Sequence, residues 1–307
     1  MSNIYLSGLA YELGEERAPI TDLPELIADE DACDLLLALG LDEYVFSSRT
    51  PPQLAQASLD KTLAQVQVDR TDIDVLLYAS SSLWDRAFYT KEIGALCCAL
   101  DLPHAMAIGV HLAECGNLAS ALRVAAGMVR SGDADNVLLV TADQPAPDSK
   151  RLVDPVLSVL SDGAASCLVS SRRGDYELVG LRQGARQDLW NLDLNAESVK
   201  RMRSFTQGLG KTALEVLAAA EMTAEDVDCL ICNNYTFSVL RAFADRVKIP
   251  TARLFTDNVA QTAHVFSADN LINLVAARAS GRIEPNQRVM ALSTGQCSWS
   301  ASLLRAT

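Results

Sequence analysis

Histidine occurs only three times in this 307-residue chain, and aromatic residues reach only 6%. No apolar run approaches the roughly 20 residues that a membrane-spanning helix needs, so none is expected. No cluster of Lys and Arg stands out against a net charge of −13. A nucleic acid or an anionic membrane is therefore not the expected partner. The opening Met-Ser-Asn-Ile-Tyr-Leu has no basic stretch ahead of an apolar one. That predicts no secretory signal and a cytoplasmic protein. The acidity also argues against docking an acidic carrier protein, unless Arg151, Arg172, Arg173, Lys200, Arg201 and Arg203 make a local basic patch.

Apolar residues make up 49% and charged residues 21%, as expected for a globular chain with a sizeable core. The length suits one large domain or two small ones. Eight cysteines, with no secretion signal, are expected as reduced thiols. Cys229 and Cys232 form a C-x-x-C, but Val-Asp-Cys-Leu-Ile-Cys reads as a buried strand, and no second pair or nearby His completes a metal site.

The chain repeats itself. Residues 69–81 and 223–234 each give a polar turn, an aspartate and an apolar strand ending in polar residues. Each follows an Ala/Leu-rich helical stretch, Leu54 to Val66 and Gly210 to Ala220. Helices predicted over Gly116 to Arg130 and Ala268 to Ala279 end at Ser-Gly pairs, followed by strands at Asn136 to Ala142 and Arg288 to Ser293. Closing strands follow at Ala164 to Val169 and Ser300 to Arg305. Apolar, non-alternating strands indicate sheets buried on both faces. Two such units, 1–171 and 172–307, predict a layered α/β/α/β/α body.

Between the apolar run Ala107 to Ala113 and the helix from Gly116 lies Cys115. A cysteine at a helix N-terminus meets free N–H groups and the positive end of the macrodipole, which favour the reactive thiolate. Position alone leaves the alternative of a buried structural cysteine, the reading adopted for Cys97 and Cys167.

Four segments carry a resemblance. They are Glu114-Cys-Gly-Asn-Leu-Ala-Ser-Ala-Leu with the following Ser-Gly and strand, Leu160-Ser-Asp-Gly-Ala-Ala-Ser-Cys-Leu, Gly281-Arg-Ile-Glu-Pro-Asn-Gln, and Thr294-Gly-Gln-Cys-Ser-Trp-Ser-Ala-Ser-Leu-Leu-Arg. In this order they resemble β-ketoacyl-acyl-carrier-protein synthase III and its relatives in the thiolase superfamily, from about residue 3 to residue 305. The resemblance implies a thiolase-like fold with duplicated βαβαβαββ halves, a homodimer, and Cys115 as the acyl-carrying nucleophile. It also implies an oxyanion hole from the backbone N–H groups of Cys115 and Gly295. No permanently bound cofactor is expected, and the donor is an acyl thioester on coenzyme A or on the phosphopantetheine of an acyl carrier protein. The Trp and Arg that handle coenzyme A in primary-metabolism members have no match around Leu37 to Val45, and Trp84 has no assigned place, which favours a carrier-protein donor.

The departures are chemical. Decarboxylating relatives use Cys, His and Asn. Their His falls here on Asn233, or on Asn234 with a one-residue slip, and their Asn falls on His264. An imidazole accepts a proton from an attacking hydroxyl or amine, whereas a neutral amide does not. Asp269, five residues on, is placed to orient that imidazole. Cys115, His264 and Asp269 together suit acyl transfer to oxygen or nitrogen, similar to ketosynthase III-like acyltransferases of secondary metabolism. The alternatives are a decarboxylative condensing enzyme and a non-catalytic ketosynthase-like subunit of a heterodimer. His104 reads as structural, and His111 as core or dimer interface. Glu114 reads as a first-turn acid complementing the dipole, or as a base acting across an interface.

Overall fold

The apolar segments form the strands that their patterning predicts. The computed structural model describes residues 3–81, 86–191 and 197–307. In the first half β1 (Tyr5–Leu13), α1 (Pro51–Gln65), β2 (Val75–Ala79), α2 (Arg86–Ala99), β3 (Met106–Val110), α3 (Asn117–Ser131), β4 (Asn136–Asp143) and β5 (Gly163–Ser170) follow one another. The second half repeats the order with β6 (Tyr176–Ala185), α4 (Ser198–Ala219), β7 (Cys229–Ile231), α5 (Phe237–Val247), α6 (Asp269–Ala279), β8 (Arg288–Thr294) and β9 (Ser298–Ala306). The counterpart of β3 is reduced there to a single parallel bridge between Leu230 and Leu254.

Among the described residues the main strands lie in the order β7-β8-β9-β6-β1-β5-β4-β2-β3. The halves meet where β1 pairs with β6, at only two positions, Tyr5 with Glu177 and Leu6 with Tyr176. Within each half the last strand runs antiparallel to its neighbours, and β2, β3 and β4, like β7 and β8, are parallel.

Successive side chains on a strand point to opposite faces, and the core divides accordingly. Val75 and Leu77 join a central cluster, whereas Leu76 and Tyr78 join an outer one with Leu54 and Leu59 of α1. In the second half Val289 faces the central cluster, whereas Met290 and Leu292 face α4 and α5. The central cluster takes Leu118, Ala121, Leu122 and Ala125 from α3 and Leu271, Ile272 and Leu274 from α6, with strands of both halves. The layers therefore run α1/α2, first-half strands, α3/α6, second-half strands, α4/α5. This is the five-layered body expected from the repeat, and the fold that the resemblance implies. The Ser-Gly pairs end the two central helices as predicted: Gly132 and Gly281 adopt left-handed conformations, φ 79° and 74°, which glycine reaches without steric cost.

Boundaries moved slightly at the nucleophile. The predicted strand Ala107 to Ala113 ends at Val110, and α3 begins at Asn117, with Glu114–Gly116 forming a single 3₁₀ turn between them. The C-x-x-C lies on buried β7 and just beyond it. Burial pushes the Cys167 thiol up to about 12 and that of Cys229 to about 11, as suits structural cysteines.

Trp299 on β9 is gripped where α4 crosses the sheet. Its indole N–H donates to Thr212 Oγ1 at 2.9 Å, and a Cβ at Gly208 would stand 1.9 Å from its Cζ2. Ala is ordinarily the better helix residue. Gly208→Ala is nevertheless expected to lower stability by about 1–3 kcal/mol through overpacking. A urea midpoint at or above that of the wild type would show that the indole yields freely.

Candidate active site

The repeat aims the N-termini of both central helices at one place. Cys115 lies two residues before α3, and Asp269 is the first residue of α6. His264 sits on the connection leading into α6. Its backbone is stitched to the first half: its N–H donates to Val159 O at 2.9 Å, and its carbonyl accepts from Ser161 N at 2.8 Å. Its Nε2 lies 3.1 Å from Cys115 Sγ, and its Nδ1 lies 2.5 Å from Asp269 Oδ2. The three residues that the sequence grouped thus form one continuous chain of contacts.

Asp269 is fully buried, and both its oxygens are engaged. Oδ2 accepts from Asn234 N at 2.7 Å as well as facing His264, and Oδ1 accepts from Val265 N at 2.7 Å. The His264 ring lies between aromatics, 5.1 Å from the Tyr235 centroid and stacked at 6.0 Å on Phe266. Tyr235 donates to or accepts from Thr294 Oγ1 at 2.8 Å. Its own phenol is held well above the ordinary range, by burial first and then by charge at Cys115. Sequence reasoning missed Tyr235 and Phe266; both lie within two residues of a candidate, but nothing in an apolar ring's identity signals that it will face a histidine.

Burial alone would lower the His264 pKa. Charge at Cys115 and then at Asp269, with hydrogen bonds to both, outweighs it and pushes the imidazole from 6.5 up to about 10.

Two groups expected at the site lie in other hydrogen bonds. Asn233, expected in the place of the first catalytic His, is tied at both ends of its amide: Nδ2 donates to Phe266 O at 3.0 Å, and Oδ1 accepts from Thr294 N at 3.0 Å. Asn234 is engaged as well, donating to Thr262 Oγ1 at 3.1 Å and accepting from Asn273 Nδ2 at 2.8 Å. Both amides tie the His264 loop to its neighbours, as buried amides must find partners. The expected second oxyanion donor, the Gly295 N–H, donates instead to Ser298 O at 2.9 Å across the β8–β9 turn. The Cys115 N–H has no partner among the described residues.

Backbone strain gathers here. Glu114, Ala263 and Phe266 are non-glycine residues at φ 51°, 44° and 49°. Such conformations cost about 1–3 kcal/mol each and persist where surrounding contacts over-determine them. A cavity of about 860 Å³ opens beside the nucleophile turn, lined in part by Ala113, Gly116, Gly184, Ser298 and Trp299. His111 borders it and faces Ser80 O through Nδ1 at 3.1 Å, not Cys115. Arg151, a member of the expected basic patch, grips buried Asp162 through two bonds of 2.7 and 3.0 Å, and Trp84 lies outside the described residues.

Residues 112–186 match the family model for 3-oxoacyl-[acyl-carrier-protein (ACP)] synthase III, and residues 217–306 match the model for its C-terminal part. A beta-ketoacyl-[acyl-carrier-protein] synthase III of Acaryochloris marina is 25% identical over 287 residues, 83% of each chain. The crystal structure of 3-oxoacyl-[acyl-carrier-protein] synthase III from Aquifex aeolicus superposes with a TM-score of 0.85 at 19% identity, over 98% of this chain and 99% of that one. A structure described as ChlB3, an acyltransferase, gives 0.81 at 16% identity, over 99% and 98%.

The raised His264 pKa fixes the sign of a pH effect. The imidazole's contribution to stability is complete below its unfolded value near 6.5 and is lost as pH rises through about 10. Between pH 7 and 10 the wild type should lose more denaturant resistance than His264→Gln. Because charge at Cys115 supports the shift, Cys115→Ala should lose its share at lower pH. Parallel curves for all three proteins would refute the assignment.

Proposed function

From the chain's membership of the 3-oxoacyl-[acyl-carrier-protein] synthase III family of the thiolase superfamily, we propose that it is an acyltransferase carrying its acyl group on Cys115 and delivering it to a hydroxyl or amine. The observation behind this reading is the unbroken Cys115–His264–Asp269 chain at 3.1 and 2.5 Å.

The thiolate of Cys115 attacks the carbonyl of an acyl thioester. The carbonyl oxygen gains charge beside the Cys115 N–H and the N-terminus of α3, where developing negative charge is favoured. The donor thiolate departs, taking the proton from His264 Nε2. An acceptor hydroxyl or amine then attacks the acyl-cysteine, and His264 Nε2 takes its proton while Asp269 balances the imidazolium. Cys115 leaves as thiolate and the starting state returns. Decarboxylative condensation calls for two donors on the enolate oxygen. Here Asn233 is engaged elsewhere, which weighs against it.

The donor is a thioester of coenzyme A or of a carrier protein. We also assign a second copy of this chain as partner. The edge strand β3 has no further neighbour in the strand order, and Met106 and Leu112 beside it are 66% and 100% exposed. An open edge of this kind pairs readily with another strand. No described helix is long and apolar enough to cross a membrane.

Intact mass after incubation with acetyl-, malonyl- and octanoyl-thioesters, on coenzyme A and on carrier protein, tests the reading. An adduct absent from Cys115→Ala is expected, and a malonyl adduct should retain its carboxyl group. His264→Ala should slow transfer to an acceptor by about 100-fold or more, within the range for general base catalysis. Loss of carbon dioxide from the malonyl adduct would favour condensation, and equal turnover of His264→Ala would remove the imidazole from the mechanism.

A further inference from the structure

Glu114 immediately precedes the nucleophile and is held at φ 51°, a conformation that a side chain of its size rarely adopts. Its carboxylate reaches across the site: Oε2 accepts from Gln296 N at 2.6 Å, linking residues 182 positions apart. The same oxygen lies 3.2 Å from where a Cβ at Gly295 would stand, and that Cβ would be only 2.6 Å from Ala113 O. The β8–β9 turn thus lies against the three residues leading into α3, with a glycine at the point of closest approach and one charged hydrogen bond closing the contact. The Gly295 N–H is given to Ser298 O and the Gln296 N–H to Glu114, and the Cys115 N–H, on the residue between the two contacts, has no partner among the described residues.

We propose that Glu114 is a positioning residue for acylation: its carboxylate clamps the Gly295-Gln296 turn to the nucleophile turn and thereby fixes the direction of the Cys115 N–H. The inference rests on the acyl-transfer reading and adds to it a residue that touches neither donor nor acceptor. A charge-assisted bond of 2.6 Å is strong enough to hold a strained turn. Without it the nucleophile turn is no longer held against the β8–β9 turn, and the N–H is free to swing away from the carbonyl oxygen it must meet. The clamp needs an acceptor oxygen at this position, and an uncharged side chain of the same length supplies a weaker one that should keep most of the role.

Two reactions of one sulfur separate this role from general damage. Acylation by a thioester builds an oxyanion and depends on the N–H direction, whereas alkylation by iodoacetamide builds none. Glu114→Gly tolerates the backbone conformation but removes the acceptor. Glu114→Gln keeps an acceptor oxygen. Acylation by acetyl- and octanoyl-coenzyme A should fall about tenfold or more in Glu114→Gly, on the scale of a displaced oxyanion donor, and return to within about threefold of wild type in Glu114→Gln. Alkylation rates should stay within about twofold throughout, because they report only access and thiolate. The clamp is refuted if Glu114→Gly acylates like the wild type. It is also refuted if Glu114→Gln falls as far as Glu114→Gly, or if alkylation falls in step with acylation. A wild type that alkylates normally yet accepts no acyl group from any donor defeats the acyl-transfer reading itself, and the clamp with it.

Discussion

The Asp269 carboxylate is the contact on which the arrangement around Cys115 depends. It is fully buried, and removing a carboxylate from water costs several kcal/mol unless its oxygens are well satisfied. Here the backbone N–H groups of Asn234 and Val265 and the imidazole of His264 satisfy it, and its place at the first residue of α6 adds the favourable end of a helix dipole. Those bonds bring together three segments that are distant in sequence or differently folded: the end of β7, the His264 loop and the central helix. With the carboxylate fixed, the imidazole has one orientation, its far nitrogen facing Cys115 Sγ.

The strain in the site follows from that fixation. Ala263 and Phe266 lie on either side of His264 with positive φ, and Glu114 does the same before Cys115. A loop free to relax would not keep three such residues. Bonds from His264 to Val159 and Ser161 hold the first loop, the Asn233 amide holds Phe266 and Thr294 together, and Glu114 is held through Gln296. The two strained turns are then faced by aromatic rings on His264 and by a rigid β8–β9 turn beside Cys115. Water has little access to the imidazole, so the charges at Cys115 and Asp269 act on it at close range and low screening.

Much of this was legible in the residues. The duplicated pattern of helix, polar turn, aspartate and apolar strand exposed the two halves, because a sheet buried on both faces requires unbroken apolar strands. The Ser-Gly pairs marked the ends of α3 and α6 to within a residue, since a left-handed cap has few sequence solutions. Cys115, His264 and Asp269 lie together as the sequence grouped them, although only the fold could bring a cysteine within reach of a histidine 149 residues away. What stayed hidden was the use of backbone and amide groups. Whether the Gly295 N–H faces a substrate or Ser298 O is decided by the geometry of a four-residue turn, and whether Asn233 is a donor to substrate or a tie between loops is decided by what lies on either side of it. Neither is encoded in residue type or spacing.

Asn233, where the resemblance places a histidine, then has a specific chemical consequence. A second imidazole here would have offered a further donor at the reacting carbonyl. The amide instead joins Phe266 to Thr294, and turning it toward a ligand would break two buried bonds, a cost of about 1–3 kcal/mol for each group left unpaired. Among the described residues His264 is hydrogen-bonded to the sulfur, backed by a carboxylate held by three bonds. A single imidazole oriented by a fixed carboxylate suits the repeated exchange of one proton between sulfur, leaving group and incoming nucleophile. Stabilising a carbanion through two converging donors is a different task, and the second donor is tied into the scaffold.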